Sequence, residues 1–118
     1  MATQIQIPVT VAGANGSAAG TATSTAPIYG LLVGIHLDHT TGAATADVTV
    51  TTGSPPQTLL VVTDSTIDAW YYPRAPIHTA AAAAISAQYT PFTIAGYVTV
   101  AVAQSNAGSV VATLLVEE

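Results

Sequence analysis

Short runs rich in Val, Ile and Thr recur along the whole chain, and clusters of Gly, Asn, Ser or Pro separate them. The runs at 4–11 and 47–51 alternate polar and apolar residues. Successive side chains of a β-strand point to opposite faces, so this alternation indicates strands with one buried face. We therefore predict an all-β domain over residues 1–118, an antiparallel β-sandwich of about eight short strands, of jelly-roll or Ig-like type.

Several residues refine this prediction. Pro8 has no N–H group to donate, so the first strand is expected at a sheet edge or at a bulge. The most apolar run, 28–38, is predicted to be a central strand. Within it Gly30 and Gly34 leave space where another backbone or a large ring approaches closely. Residues 97–116 are predicted to form a closing hairpin.

Other segments are less regular. Residues 1–27 are interpreted either as an N-terminal arm or as an edge hairpin, with a weak strand at 18–26. A turn is predicted at 40–43. The segment from 64 to about 84 breaks the strand rhythm and is expected to be a long irregular loop. The five alanines at 80–84 favour helix intrinsically but are too few for a stable one, so a turn is an equal alternative.

Charge is scarce throughout the chain. Only 6% of residues are charged, against about 25% in an ordinary soluble domain. The net charge is −5, from a single cation and six acids. These residues are Arg74, Asp38, Asp47, Asp64, Asp68, Glu117 and Glu118. Neutralising phosphates requires several Lys or Arg side chains, so we exclude nucleic acid as a partner and disfavour anionic membranes.

Other classes of protein are also excluded. The chain has no cysteine, which excludes scaffolds held by disulfides. No apolar run approaches the ~20 residues of a membrane span, and the N-terminus lacks the features of a signal peptide. We expect a protein made in a cytoplasm. A surface with so little charge repels its neighbours weakly, which favours packing beside copies of itself or on a large scaffold as a homo-oligomer.

The segment 64–78 holds the densest chemistry of the chain. Aromatic side chains beside an arginine are typical of protein interfaces, so one interpretation is a loop that docks onto a partner. The other is a crossover loop in which Trp70 plugs one end of the sandwich and Arg74 pairs with Asp64 or Asp68. Both can hold if the Trp faces inward and the rest faces outward. The candidate interface residues are Trp70, Tyr71, Tyr72, Pro73 and Arg74.

The best metal-binding candidate in the sequence is the stretch His36-Leu37-Asp38-His39. On a strand, His36 and Asp38 point to the same face. A third ligand would have to come from His78 or Asp47. Two ligands do not define a site, so the sequence predicts no metal and no cofactor.

Catalytic motifs are not apparent. No Ser lies in a nucleophile-elbow sequence, and neither a P-loop nor a dinucleotide fingerprint occurs. Asp64 and Asp68 have the chemistry for acid–base work on a sugar, but they are expected to cap turns. We therefore predict that the protein is not an enzyme.

Four stretches together resemble small virion proteins of tailed bacteriophages encoded among the head genes. They are 46–51, 57–62, the Trp-Tyr-Tyr-Pro-Arg motif at 70–74 with Pro76 and His78, and the Val-rich closing run. The resemblance spans residues 28–116, and its most distinctive motif is the one at 70–74. No catalytic residue carries over.

This resemblance implies a capsid decoration, or cement, protein of the phage head. Such a protein would be β-rich, would assemble as a homo-oligomer with a trimer favoured, and would bind the major capsid protein or another virion protein to stabilise the shell. The alternative is a carbohydrate- or surface-binding module of a phage tail or fibre, because sugars stack on exposed aromatic rings such as Trp70.

Overall fold

Backbone hydrogen bonding divides the chain into antiparallel strands. The structure is a computed structural model that describes residues 2–39, 45–53 and 55–118. The turn predicted at 40–43 lies outside these residues. The strands follow in the order β1 (Ala2–Val11), β2 (Ala18–Thr23), β3 (Ile28–His39), β4 (Ala46–Thr52), β5 (Gln57–Ser65), β6 (Ala69–Tyr71), β7 (Arg74–His78), β8 (Ala84–Pro91), β9 (Thr93–Gly96), β10 (Val98–Ser105) and β11 (Gly108–Glu117).

Two sheets form the body of the molecule. The first sheet has the order β1-β11-β3-β6, with β9 also paired to β3, and the second has the order β2-β10-β4-β5. β7 and β8 pair only with each other. The prediction of an all-β, sandwich-like antiparallel fold is confirmed, with more strands than predicted. No helix in the described ranges is long or apolar enough to cross a membrane.

The core lies between the inner faces of the two sheets, which both contribute buried Val, Leu and Ile side chains. On β3 the buried residues Leu32 and Ile35 are three apart, which breaks strict alternation. A bulge explains the break, because Leu115 pairs with Gly34 and Val116 with Leu32. Val33 is thus an extra residue in β3, and because of it the side chain of Ile35 points toward the core as that of Leu32 does.

Three sequence predictions about the first sheet are confirmed. β1 lies at the edge of this sheet, where the missing N–H of Pro8 removes no hydrogen bond between inner strands. β3 pairs with β11 on one side and with β9 and β6 on the other, which makes it central. A Cβ atom on Gly30 would lie 2.6 Å from the carbonyl oxygen of Glu117, so another backbone does pass closely there.

The predicted closing hairpin at 97–116 is wrong. β10 belongs to the second sheet and β11 to the first, so the turn between them crosses the sandwich. The connection from β1 to β2 crosses in the same way. The two crossing turns meet, since the Gly16 N–H donates to the Ser105 carbonyl at 3.0 Å and to Asn106 Oδ1 at 3.1 Å. Alternation identifies a buried face but does not specify which strand pairs with which.

The segment predicted to be irregular contains strands. β6 and β7 lie within 64–78, and β8 follows the alanine run. Residues 79–83 form the turn between β7 and β8, closed by a bond from the Thr79 N–H to the Ala83 carbonyl at 2.8 Å. Of the two alternatives for the alanines, the structure therefore has the turn. At the other end of the chain, 18–23 pair with β10 as strand β2.

Candidate functional site

The short strand β6 positions the aromatic residues of the Trp-Tyr-Tyr-Pro-Arg motif. It pairs with the C-terminal half of β3, with Trp70 opposite His36. Successive side chains alternate between faces, so Tyr71 packs against the core while Trp70 and Tyr72 point outward. The motif is therefore part of a sheet edge, not of a loose loop.

The outward rings form one surface, which we call the aromatic face (His36, Trp70 and Tyr72). The centroids of the Trp70 and Tyr72 rings are 6.2 Å apart and their planes differ by only 13°. The His36 ring lies 5.2 Å from Trp70 at 56°. Trp70 is 41% exposed and Tyr72 60%. The interpretation of Trp70 as an internal plug is therefore wrong.

Gly34 makes room for Tyr72. A Cβ atom on Gly34 would lie 3.0 Å from Tyr72 Cδ1 and 3.1 Å from Cε1. These distances are below ordinary van der Waals contact, so only glycine lets the ring lie this close to β3. The prediction that Gly34 accommodates a large ring is confirmed.

Arg74 fixes the strand that follows the aromatic residues. Its Nη1 donates to the carbonyl oxygen of Val33 at 3.1 Å and to that of Pro73 at 2.8 Å. Val33 is the extra residue of the β3 bulge, so this bond ties the start of β7 to the middle of the sheet. The ion pair of Arg74 with Asp64 or Asp68 is not formed in the described part of the chain.

Two further apolar side chains are exposed on β3, towards its N-terminal end. Tyr29 and Leu31 are exposed and alternate with the buried Ile28 and Leu32. They therefore point outward from the first sheet, on the same side as His36. Monomeric proteins rarely expose large contiguous apolar patches, and those they do expose often mark interaction sites.

The rings of His36 and His39 point in different directions. His36 points outward against Trp70, whereas the His39 ring lies 2.7 Å from the hydroxyl of Ser65 through Nε2. The Oδ1 atom of Asp68 accepts a 2.7 Å bond from the His39 backbone N–H. Within the residues that the structure describes, no group of three or more His, Asp or Glu side chains could hold a metal ion.

The contact between His39 and Ser65 was not predicted from the sequence, because the two residues are distant in the chain. Its length would suit a nucleophile and its base. The side chain of Ser65 is buried, however, so a substrate cannot reach the hydroxyl. We interpret the pair as a link between β3 and the end of β5.

Asp47 also has a structural contact. Asp47 Oδ1 accepts a 3.1 Å bond from the backbone N–H of Asp64, whose φ of 53° is left-handed.

A cavity of about 300 Å³ lies between the turn after β4 and β9, and its lining residues are uncharged. The aromatic face is not part of this cavity.

Comparison of the chain with protein-family models, with curated proteins and with solved structures finds no match. The aromatic face contains two of the five predicted interface residues, Trp70 and Tyr72, and the fold presents both rings to solvent.

Proposed function

We propose that this protein is a non-enzymatic structural protein of a phage particle, a capsid decoration or cement protein. It would bind the major capsid protein, or another virion protein, and stabilise the head shell. The observation that carries the proposal is the exposed aromatic face at Trp70 and Tyr72. Exposed aromatic side chains on a rigid strand bury a large area with few rotamers to freeze, which suits a docking surface.

The arrangement of strands supports the proposal. When β7, β8 and β9 are set aside, eight strands remain. The first, last, third and sixth of these form one sheet, and the second, seventh, fourth and fifth form the other. We propose that this is a jelly roll, an architecture found in viral capsid and lectin domains. A fold alone does not determine function, so the proposal still depends on the aromatic face.

The charge distribution is compatible with docking through this face. Four aspartates lie around the end of β3, where Asp68 bonds the His39 N–H and Asp47 bonds that of Asp64. Glu117 pairs with Leu31 near the other end of β3. The rings of Trp70 and Tyr72 carry no charge themselves, and Asp38 and Asp68, each two residues from a member of the aromatic face, lie at its border.

Co-sedimentation with phage heads that lack the protein tests the proposal. We expect the wild-type chain to pellet with the heads in a saturable manner. Tyr72→Ala should weaken the binding at least 10-fold, because it removes the most exposed ring of the face. Tyr97→Ala is the matched control, since Tyr97 is a half-exposed tyrosine between β9 and β10.

The control variant should bind as the wild type does. Equal binding by Tyr72→Ala and Tyr97→Ala would contradict a role of the aromatic face. No binding by the wild-type chain would contradict the decoration function itself. Thermal unfolding of both variants should stay close to that of the wild type, because neither side chain belongs to the core.

A second candidate function is a carbohydrate-binding module of a phage tail or fibre. The specific observation in its favour is the near-parallel arrangement of the Trp70 and Tyr72 rings, 13° between planes. Parallel aromatic rings offer flat apolar surfaces to the C–H groups of sugar rings. The imidazole of His36 beside them could bond a sugar hydroxyl.

Fluorescence separates the two candidates, because Trp70 is the only tryptophan of the chain. A sugar that stacks on the aromatic face should change the emission in a saturable manner, and a glycan array should find the same sugar. An emission that no glycan alters, together with saturable binding to heads, would favour the decoration protein.

A further inference from the structure

The strands β7 and β8 form a two-stranded ribbon that belongs to neither sheet of the body. The ribbon starts at Arg74, whose guanidinium bonds the carbonyl of Val33 in the middle of β3. It also ends beside β3, where the Leu32 N–H donates to the carbonyl oxygen of Phe92, the residue after β8. The molecule measures 48 × 28 × 24 Å along its principal axes, so it is elongated. The core and both sheets close without the ribbon.

The ribbon buries almost nothing. Nearly every residue of β7 and β8 is exposed, including the large apolar side chains Ile77, Ile85 and Tyr89. An isolated two-stranded ribbon is at best marginally stable in water and needs packing on a further surface. Ala82 and Ala87 also adopt left-handed φ angles of 66° and 60°, which L-residues with a Cβ disfavour. Strain of this kind persists where surrounding structure holds it.

Charge identifies what can cover the ribbon. The ribbon has one Arg, Arg74 at its start, whose guanidinium bonds the carbonyl oxygens of Val33 and Pro73, and residues 75–91 contain no acid and no Lys or Arg. The aspartates lie around the end of β3, and Glu117 near its other end. A basic partner would be drawn to those ends and not to the ribbon. Two copies of this acidic chain can meet along their ribbons without bringing carboxylates together.

We propose that the ribbon packs against the ribbon of a second copy of this chain and so forms the self-association contact. Alanines and serine between the larger side chains allow two backbones to approach closely. A stable interface takes about 20–30 residues from each partner. The strands of 5 and 8 residues and the turn 79–83 supply 18 residues, of which one face presents about half, so the contact is a small one that forms as concentration rises. The inference rests on the proposed assembly role but not on the identity of the particle.

Molar mass by light scattering tests the inference. The wild-type protein should have a molar mass that is a multiple of the 11.8 kDa of one chain. Ile85→Asp and Tyr89→Asp place a charge in the contact and should reduce the mass to that of one chain at the same concentration. Val61→Asp is the matched control, because Val61 on β5 is 60% exposed and Tyr89 64%. It should leave the mass of the assembly unchanged.

A wild-type mass of one chain at all concentrations would overturn the inference, as would ribbon variants that keep the wild-type mass. Hydrogen exchange of the backbone amides tests the same contact in the wild-type chain, without any substitution. In the wild type, amides of β7 and β8 should gain protection as concentration rises, while those of β10 should not change. Protection independent of concentration would also overturn it.

Co-sedimentation with heads separates this inference from the proposed function. A monomeric wild type that still binds heads would refute the ribbon contact and leave the decoration function intact. An assembly that requires the ribbon but does not bind heads would refute the function and leave the contact intact.

Discussion

Gly34 lies against the ring of Tyr72, and adding one methyl group there tests how the aromatic face is held. In a strand, Ala is favoured over Gly by about 0.5–1 kcal/mol because glycine loses more backbone entropy on folding. In Gly34→Ala, however, the new Cβ would lie 3.0 Å from Tyr72 Cδ1. The ring must then move by a few tenths of an ångström. Overpacking costs about 1–3 kcal/mol, and this exposed ring should be at the lower end.

The two effects separate in a double-mutant cycle with Tyr72→Ala. In the wild-type background, Gly34→Ala should be neutral or destabilise the fold by up to about 1 kcal/mol. In the Tyr72→Ala background only the Tyr71 carbonyl oxygen, 3.3 Å from the new Cβ, opposes the change, so Gly34→Ala should cost about 1 kcal/mol less there than in the wild type. The expected coupling free energy is therefore about 1 kcal/mol.

Urea unfolding, followed by circular dichroism and by Trp70 fluorescence, measures the cycle. All four proteins are compared at one concentration, because self-association shifts apparent stability. Gly53→Ala is the control, since a Cβ there meets nothing within 4 Å and should not couple to Tyr72. Additivity of Gly34→Ala and Tyr72→Ala within about 0.3 kcal/mol would refute the packing of the ring on Gly34.

Three further predictions concern the free energy of unfolding. Gly20→Ala should lower the free energy of unfolding by about 2–3 kcal/mol and the Tm by roughly 10 °C, because the new Cβ would overlap the Thr10 carbonyl oxygen. Calorimetry of the variant and the wild type measures this difference. Trp70→Ala should lower the free energy of unfolding by about 1–2 kcal/mol, and Leu37→Ala by roughly 2–5 kcal/mol, because Trp70 is partly exposed and Leu37 is buried. Equal losses for the two variants in urea unfolding would contradict the outward position of Trp70. Arg74→Ala should lower the free energy of unfolding by about 1 kcal/mol at low and at high salt alike, because the guanidinium bonds carbonyl oxygens and not a carboxylate. A loss that becomes smaller as the NaCl concentration rises would indicate an ion pair with a carboxylate instead.

Local rules explain which parts of the fold could be predicted. The alternation in 4–11 and 47–51 reflects one buried face on each of β1 and β4, and both are strands. Pro8 lacks a donor and lies on an edge strand. These outcomes depend on the chemistry of single residues or of one short run, which the sequence displays directly.

Pairing and packing in three dimensions explain what could not be predicted. Residues 97–116 have the pattern of a hairpin, yet their two strands lie in different sheets, because the turn crosses the sandwich. The ribbon of β7 and β8 has no buried face, so no alternation marks it. Alanines at a turn are equally uninformative, because their intrinsic preference is for helix.

The candidate site shows the same division. The composition of 70–74 was sufficient to predict an interface candidate, and glycine at 34 to predict space for a ring. The outward orientation of Trp70 follows from the pairing of β6 with β3. The contact of His39 with Ser65 likewise follows from how β3 and the end of β5 meet. Neither pairing can be read from local pattern.

The pairing of β1 with β11 determines the order in which the fold can form during synthesis. Val11 pairs with Gly108 and Ala2 with Glu117, so β1 has no partner until β11, about 100 residues further along the chain, has been translated. The first sheet therefore cannot close until β11 has left the ribosome, and non-local pairing of this kind makes folding slow. While it waits, β1 is an unpaired edge open to other nascent chains. Its alternating glutamines and Pro8 lower that risk, because polar side chains and a missing donor make a poor template for pairing.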